Sequence, residues 1–447
     1  MLGRTISIVR QIATMSSTTK QKVFVGPLIH TSEQGELLVI KNAAIVVKNG
    51  KISSIINNPN SIDTLGQDVT TLQNGQFLIP GFIDGHIHAA QLPNLGIGYD
   101  KGLLEWLETY TFPLEKKYSV DKFSESVFDN AVKRTIKHGT TTACYFASLY
   151  ANSSVILGQK AAELGQRALI GKVTMSCTRS DEYYETAEKS IINLKKFIRD
   201  IAAIQSPLIK PIITPRFALS CDMQTMKELG ELAKEKDLHI QSHISETIDE
   251  IKAVRNKYKD YSSYAQVYDA AGLLTNKTVL AHGIYLTDDE IELLKDRGTS
   301  VIHCPSSNTC LKSGLCDVQR LNSRGIKIGL GTDVSGGQSC SILDAMRSAL
   351  QVSSHLSILR NNYEALNYKE VFHMATLGGA KALAMDSEIG NFVPGKEFDA
   401  LVIDVTENTG LLDNFSNYTL EENLQRFIYS GDDRNIIEVY ISGRKVK

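Results

Sequence analysis

Residues 78–88 read LIPGFIDGHIH, an apolar run that ends in two histidines separated by one isoleucine. Successive side chains of a β-strand point to opposite faces, so His86 and His88 project from the same face and can bind one metal ion together. Two histidines at this spacing are weak evidence by themselves, because a pair on the protein surface has the same pattern. The run therefore predicts a strand with a candidate metal site at its end.

Seven further runs of the same type follow, and segments with helical spacing separate them. The runs are GTTTACYF (139–146), RALIGKV (167–173), KPIITPRF (210–217), LHIQSHIS (238–245), KTVLAHG (277–283), TSVIHCP (299–305) and GIKIGLGTD (325–333). Helical periodicity occurs at 121–138, 184–204, 222–236, 287–297 and 339–358. Eight alternating units predict an α/β fold, a (β/α)8 barrel of the TIM type over residues 79–388, with its active site at the carboxyl ends of the strands.

The two ends of the chain have a different pattern. Residues 21–78 and 389–447 contain short, β-branched runs that end at Gly, Asn or Pro, so we expect them to fold together into one small β-sandwich domain. Residues 1–20 contain Arg4, Arg10 and Lys20 and no acid. They predict a flexible tail, with a mitochondrial targeting segment as the alternative, and Met15 is a second candidate start.

Residues able to bind a metal stand at the ends of the predicted barrel strands, where this fold places its chemistry. Catalytic zinc sites combine imidazole and carboxylate ligands with an open position for water. We therefore predict one Zn²⁺ per chain and a bound water, with the protein ligands His86, His88, His243 and Asp333. His282 is predicted to orient water or substrate beside them, and iron is the alternative metal. A second metal is not favoured, because Lys210 begins its strand instead of ending it.

Glu246 is the candidate proton carrier, because it lies three residues after His243 and beyond the predicted strand end. Its alternative is an exposed acid at a helix N-terminus, which the helix dipole favours. His138, His239 and His303 have ordinary structural interpretations. The seven cysteines form no CxxC pair, which predicts reduced thiols in the cytosol. Cys304, Cys310 and Cys316 are interpreted as small buried residues.

Composition excludes several classes of function. Lys and Arg total 48 against 50 for Asp and Glu, a net charge of -2, so no basic field attracts nucleic acid or an anionic membrane. The chain contains no apolar run long enough to predict a membrane span. A small substrate fits this charge balance.

The motifs PGFIDGHIH, HIQSHISE, LAHG and GLGTDVSGG resemble the amidohydrolase superfamily of metal-dependent barrels. Within it, LLEWLETYTFP, GTTTACYFA, TPRFALSC and ATLGGAKAL are similar to the guanine deaminase family. The resemblance implies zinc-dependent hydrolysis of guanine to xanthine and ammonia in purine catabolism, a homodimer, zinc on the four ligands named above, and Glu246 as the acid/base. It also implies substrate contacts from His88, Gln91, Arg216, Phe217, His243, Glu246, His282 and Asp333.

Guanine suits the residues that this resemblance adds. Arg216 can donate to O6 and N7 of guanine, whereas adenine carries a donor amine in place of O6. Phe217 is a candidate stacking partner for the purine. The alternatives are a salt bridge at the barrel rim for Arg216, core packing for Phe217 and a plain loop amide for Gln91.

The expected reaction assigns one role to each catalytic residue. Glu246 protonates the ring and the leaving amine, Asp333 accepts a proton from water, and His282 stabilises the developing oxygen. Another deaminase or a cyclic amidase of the superfamily, acting on an adenine derivative, a triazine or a cyclic amide, is the alternative enzyme. A non-catalytic scaffold on the same fold is the alternative outside enzymes.

Overall fold

The computed structural model of the protein describes residues 21–59 and 68–447. The predicted flexible tail at residues 1–20 lies outside these ranges. The strands are β1 (Gln21–Thr31), β2 (Leu37–Lys48), β3 (Lys51–Asn57), β4 (Val69–Thr71), β5 (Gln76–Pro80), β6 (Phe82–His88), β7 (Thr140–Phe146), β8 (Arg167–Gly171), β9 (Val173–Thr174), β10 (Ile209–Pro215), β11 (His239–Ile244), β12 (Thr278–His282), β13 (Ser300–His303), β14 (Ile328–Leu330), β15 (Ala400–Asp404), β16 (Ile436–Ile441) and β17 (Arg444–Lys445).

The α-helices lie mainly between the barrel strands. They are α1 (Leu103–Trp106), α2 (Phe112–Glu115), α3 (Asp121–Lys137), α4 (Ala151–Leu164), α5 (Ala187–Ala202), α6 (Met223–Lys236), α7 (Ile248–Lys257), α8 (Tyr264–Ala270), α9 (Asp288–Asp296), α10 (Pro305–Cys310), α11 (Val318–Ser323), α12 (Ile342–Leu359), α13 (Tyr368–Ala375), α14 (Leu377–Ala382) and α15 (Leu420–Ser430). The five predicted helical segments correspond to α3, α5, α6, α9 and α12, so these predictions are confirmed.

Eight parallel strands form the barrel, in the order β6, β7, β8, β10, β11, β12, β13 and β14, while the short β9 pairs with β10. Each predicted run overlaps one of the eight, which confirms the predicted fold class. The first and last strands meet through two hydrogen bonds just beyond β14: the Asp333 amide donates to the His86 carbonyl at 2.9 Å, and the His88 amide donates to the Val334 carbonyl at 3.1 Å. This closure lies where the predicted metal ligands stand.

Apolar side chains fill the inside of the barrel, among them Ile83, Leu169, Ile212, Val279 and Ile302. Every residue of β6, β7 and β8 is buried, as expected for parallel strands that are covered on both faces. The strands are therefore held rigidly, and their carboxyl ends provide a fixed frame for a site.

The run at 78–88, which we predicted to be one barrel strand, is two strands that separate at Gly81. Residues up to Pro80 belong to β5 of the terminal sheet, and β6 begins at Phe82. A side chain at Gly81 would collide with Thr141, because a Cβ atom there would lie 2.1 Å from its Oγ1. The chain thus passes from one sheet to the other where the Thr141 side chain packs directly against the backbone of Gly81.

Strands from both chain ends form the second, mixed sheet, as predicted. Its order is β17, β16, β15, β5, β1, β2 and β3, with β4 beside β1. The two ends join where β5 pairs antiparallel with β15, Leu78 opposite Val402. The Phe24 ring stacks on Phe398 with their centroids 4.6 Å apart, and this aromatic packing forms the centre of a core separate from the barrel.

Helix α15 departs from the β-type structure predicted for residues 389–447. Thr419 and Glu422 form a capping box at its start, and Leu424, Phe427 and Ile428 are buried along one face. The Phe427 ring stacks on Phe82 at the start of the barrel, 6.5 Å between centroids.

Across the described ranges, the helices are all too short or too polar to cross a bilayer.

Candidate active site

The four predicted metal ligands converge at the carboxyl end of the barrel. His86 and His88 lie on β6, His243 lies on β11, and Asp333 follows β14. One ligand atom from each residue lies within 4.8 Å of all the others. His88 Nε2 is 3.2 Å from His243 Nε2, and Asp333 Oδ1 is 3.3 Å from His86 Nε2 and 3.4 Å from His88 Nε2.

The backbone turns sharply where two of the site residues stand. His282, the last residue of β12, has φ of 77°, and Asp333 has φ of 46°. Non-glycine residues adopt this left-handed conformation at a cost on the order of 1 kcal/mol, and such residues concentrate at functional sites. The surrounding hydrogen bonds keep both side chains directed at the cluster.

The protonation of the histidines suits a metal. The backbone carbonyl of Arg216 lies 2.6 Å from His243 Nδ1, so that nitrogen carries the proton and Nε2 offers its lone pair to the cluster. His86 Nε2 is buried and has no hydrogen-bond partner within the described residues. Burial lowers the pKa of His86, and lowers those of His88 and His243 further, which keeps the imidazoles neutral.

Asp333 supplies the negative charge of the cluster. Burial would raise the pKa of its carboxyl group, but the close approach of His86 and the electrostatic effect of the neighbouring imidazoles outweigh burial and lower that pKa. Neutral imidazoles and an ionised carboxylate are the forms that bind Zn²⁺. The orphaned His86 nitrogen and the donor set therefore fit a zinc ion.

Glu246 is buried beside the cluster and is not the exposed helix-terminal acid of the alternative interpretation. Only 4% of it is exposed, and Thr247 caps α7 instead. Its Oε1 accepts a hydrogen bond from Ser313 Oγ at 2.8 Å, and its Oε2 lies 3.4 Å from His282 Nε2. Burial raises the pKa of this carboxyl group to about 7, so it can exchange a proton near neutral pH.

His282 lies between the two acids and outside the ligand cluster. Its Nδ1 donates to Asn308 Oδ1 at 2.8 Å, and its Nε2 is 3.8 Å from Asp333 Oδ2. Burial acts to lower the pKa of His282, but the charges of Glu246 and Asp333 outweigh it and raise that pKa. The imidazole therefore stands ready to donate a hydrogen bond from Nε2.

A pocket opens beside the cluster, and the remaining predicted substrate contacts line it. Strand β10 ends at Pro215, so Arg216 and Phe217 no longer alternate across a strand and both border the pocket, as does Gln91. Arg216 does form a salt bridge, with Glu115 at 2.6 Å, but both side chains are buried. Arg216 lines the pocket, so this buried pair belongs to the structure around the pocket.

Four residues near the site were missed by the sequence analysis: Asp84, Glu115, Asn308 and Ser313. The carboxylate of Asp84 accepts hydrogen bonds from the His86 amide and from both the amide and hydroxyl of Thr332, which tie β6 to the end of β14. Burial raises the pKa of Asp84 to about 7. The position of Asp84, two residues before His86 on the same strand, was a signal that the sequence analysis could have used. Glu115, Asn308 and Ser313 come from distant loops and helices, and no sequence pattern pointed to them.

The remaining histidines and cysteines behave as predicted, with one correction. His239 begins β11 with its Nε2 2.9 Å from the Leu383 carbonyl, and His303 is buried. All seven cysteines are free. Cys304 and Cys316 are buried, but Cys310 is only half-buried because it ends the short helix α10 near the surface.

A buried cluster of three imidazoles and a carboxylate at the carboxyl end of a (β/α)8 barrel, next to a buried acid and a pocket, defines a metal-dependent hydrolase. Residues 77–446 match the model of the Amidohydrolase family. The chain is 48% identical to the guanine deaminase of Homo sapiens over 384 residues, 85% of each chain. It is 32% identical to that of Escherichia coli strain K12 over 92% of each chain.

A solved structure gives the same result. The guanine deaminase of C. acetobutylicum, crystallised with guanine in its active site, matches 96% of this chain and 100% of its own at 36% identity and a TM-score of 0.90. The chain belongs to the amidohydrolase family and, within it, to the guanine deaminases, hydrolases that act on carbon–nitrogen bonds.

Proposed function

We propose that this chain hydrolyses guanine to xanthine and ammonia, a step of purine catabolism, with one zinc ion per chain. The observation that carries the proposal is the joining of three features in one pocket: the ligand cluster, the buried acid Glu246 and the guanidinium of Arg216. The guanine-bound relative at 36% identity supports the same substrate.

In this proposal His86, His88, His243 and Asp333 hold the zinc ion. Zinc at this site supplies a Lewis acid, which makes a water molecule nucleophilic near neutral pH. Iron would accept the same ligands, so the metal is to be measured on the purified protein.

Arg216, Gln91 and Phe217 bind the purine. Arg216 donates to the O6 and N7 acceptors of guanine, and the neighbouring Gln91 amide offers a further donor. Phe217 lies against the flat ring. An adenine ring would place a donor against these donors, and an unpaired buried polar group can reduce the rate by about 10⁴ or more.

The acids and His282 move the protons. As the water oxygen attacks C2, Asp333 accepts a proton from the water and Glu246 protonates the ring nitrogen. His282 donates a hydrogen bond to the oxygen that develops negative charge. The bond between C2 and the exocyclic amine then breaks. Glu246, which has given its proton to the ring nitrogen, takes the proton of the C2 hydroxyl and passes it to the amine, which leaves as ammonia. The proton held by Asp333 returns to Glu246, so that one guanine and one water give one xanthine and one ammonia.

The finer predictions about the whole chain are also proposals. The family resemblance supports a homodimer. Seven free cysteines support the cytosol, since thiols stay reduced there. The change of sheet at Gly81 supports a boundary near residue 79 between the terminal β-domain and the barrel, with the return near 389.

A substrate panel tests the proposed function. Purified, metal-quantified protein is incubated with guanine, adenine, cytosine and a triazine, and ammonia release is followed. Ammonia from guanine alone, with about one zinc per chain, is the expected result. Ammonia from another ring and none from guanine would overturn the assignment of guanine while keeping a hydrolytic site.

A further inference from the structure

Glu115 is a buried carboxylate around which the pocket wall is built. It is the last residue of α2, and 2% of it is exposed. Four hydrogen bonds reach its two oxygens. They come from Gln91 Nε2 at 3.1 Å, Arg216 Nη1 at 2.6 Å, Arg216 Nη2 at 3.1 Å and Tyr183 Oη at 2.9 Å.

The contacts with Arg216 fix the plane of its guanidinium. Nη1 and Nη2 each donate to a different oxygen of Glu115, which is the bidentate geometry that orients both groups. The guanidinium carbon also lies 4.9 Å from the centre of the Phe112 ring, on the same helix as Glu115. Arg216 retains further N–H groups, and since it lines the pocket, these remain for a ligand.

The contacts with Gln91 fix which end of its amide is which. Its Nε2 donates to Glu115, while its Oε1 accepts the Ser335 amide at 3.2 Å. The carbonyl end is therefore occupied by a donor from the loop after β14. The free N–H on Nε2 is the group that Gln91 can still offer, so this side chain also presents a donor.

We infer that Glu115 is a positioning residue that sets the specificity of the pocket: by holding Arg216 and Gln91 with their donors free, it makes the site select purines that carry an oxygen acceptor at C6. Glu115 itself can only accept, and three of its four hydrogen bonds come from Arg216 and Gln91, which line the pocket. This inference rests on the proposed function, because it concerns how guanine is recognised.

The chain offers a matched control at the other end of the barrel. Arg167 begins β8, and its Nε and Nη2 donate to the two oxygens of Asp399 at 3.1 and 3.2 Å. Both side chains are buried, as they are in the pair of Arg216 and Glu115. Asp399→Asn therefore breaks a similar buried pair without touching the pocket.

The test compares two ligands that differ in the acceptor at C6. Hypoxanthine has the C6 oxygen and unsubstituted purine lacks it, and neither carries the amine that the enzyme would remove. Their dissociation constants are measured by calorimetric titration of full-length, zinc-loaded wild-type protein and of the Glu115→Gln, Glu115→Asp and Asp399→Asn variants. The wild type is expected to bind hypoxanthine more tightly than purine.

Glu115→Gln keeps the size of the side chain but replaces one acceptor oxygen with a donor nitrogen, which faces the donors of Arg216. The preference for hypoxanthine is expected to fall about 10- to 100-fold, because a hydrogen bond to a charged group is lost. Glu115→Asp keeps the charge but retracts it by one methylene, and a smaller fall is expected. Asp399→Asn is expected to lower the melting temperature and leave the preference unchanged.

Three results would overturn the inference. The first is a wild type that binds hypoxanthine and purine equally well, and the second is a Glu115→Gln protein that keeps the wild-type preference for hypoxanthine. The third is a loss of this preference in Asp399→Asn that is as large as the loss in Glu115→Gln. Where Glu115→Gln yields no folded protein, a wild-type preference in Glu115→Asp is the overturning result. The proposed function fails separately, if the wild type releases no ammonia from guanine.

Discussion

Replacing Glu246 with Gln keeps the shape of the side chain and removes its ability to exchange a proton. In the structure Glu246 accepts from Ser313 Oγ at 2.8 Å and faces His282 Nε2 at 3.4 Å. A glutamine can keep both contacts, since its oxygen can accept from His282 Nε2 and its amide can donate to the Ser313 hydroxyl oxygen. The variant should therefore fold, bind zinc and bind guanine.

The expected loss lies in kcat. General acid–base catalysis by a positioned side chain contributes about 10²- to 10⁴-fold, which corresponds to about 2.7–5.4 kcal/mol of the barrier. Glu246 is buried, so water does not readily replace it as the proton carrier. We expect kcat for guanine to fall by that factor while KM changes little, because the lost interaction acts in the transition state.

The assay follows ammonia release under steady-state conditions with zinc content measured on the same sample. Glu290→Gln is the matched control: Glu290 is also a buried acid, but it caps α9 away from the pocket. That variant should lose stability and keep kcat. A Glu246→Gln enzyme with kcat within about threefold of the wild type would refute the role of Glu246 as proton carrier.

Three further changes have defined outcomes. His86→Ala removes one of four ligand atoms, so the zinc content measured by atomic absorption should fall well below one per chain; an unchanged content would refute the ligand assignment. Phe24→Ala opens a cavity in the core of the terminal sheet and should cost about 3–5 kcal/mol in urea unfolding without changing KM for guanine, whereas a cost below about 1 kcal/mol would contradict the packing described. Burial and the charges of Lys277 and Lys210 lower the pKa of His239 to about 4. The folded protein therefore favours the neutral ring. The wild type loses stability as the pH falls from about 6.5 toward 4, because the unfolded chain binds a proton to His239 in that range and the folded chain does not. The stability difference between the wild type and His239→Gln should therefore shift by about 3 kcal/mol against the wild type between pH 7 and pH 4, and a difference independent of pH would contradict this.

The barrel could be predicted from the sequence because eight short runs alternate with helical segments, and five of these runs end in residues that can carry chemistry. The sequence did not show that the predicted strand at 78–88 is divided into β5 and β6. Residues 78–83 are apolar on both sides of Gly81, and only the contact of Gly81 with Thr141, 60 positions later, shows where the chain changes sheets. Helix α15 was missed since its apolar face lies in a region of β-branched runs, and packing on Phe82 fixes it.

In the site, spacing along strands could be read directly, whereas contacts between loops could not. His86 and His88 share a face by the alternation of a strand, and His243 and Asp333 follow from the rule that such sites lie at strand ends. Glu115 was not predicted because its partner Arg216 is 101 residues away in the sequence. Its own helix also carries no sequence signal for an acidic side chain that points toward the pocket. Asn308 and Ser313 act through His282 and Glu246, and only the folded arrangement brings them together.

The most direct test of the account is the fate of guanine in water labelled with ¹⁸O. Zinc-loaded wild-type protein is incubated with guanine in H₂¹⁸O, and the products are measured by mass spectrometry together with ammonia. The account predicts xanthine with one ¹⁸O atom at C2 and one ammonia for each xanthine. Unchanged guanine, or xanthine without the label, would contradict it.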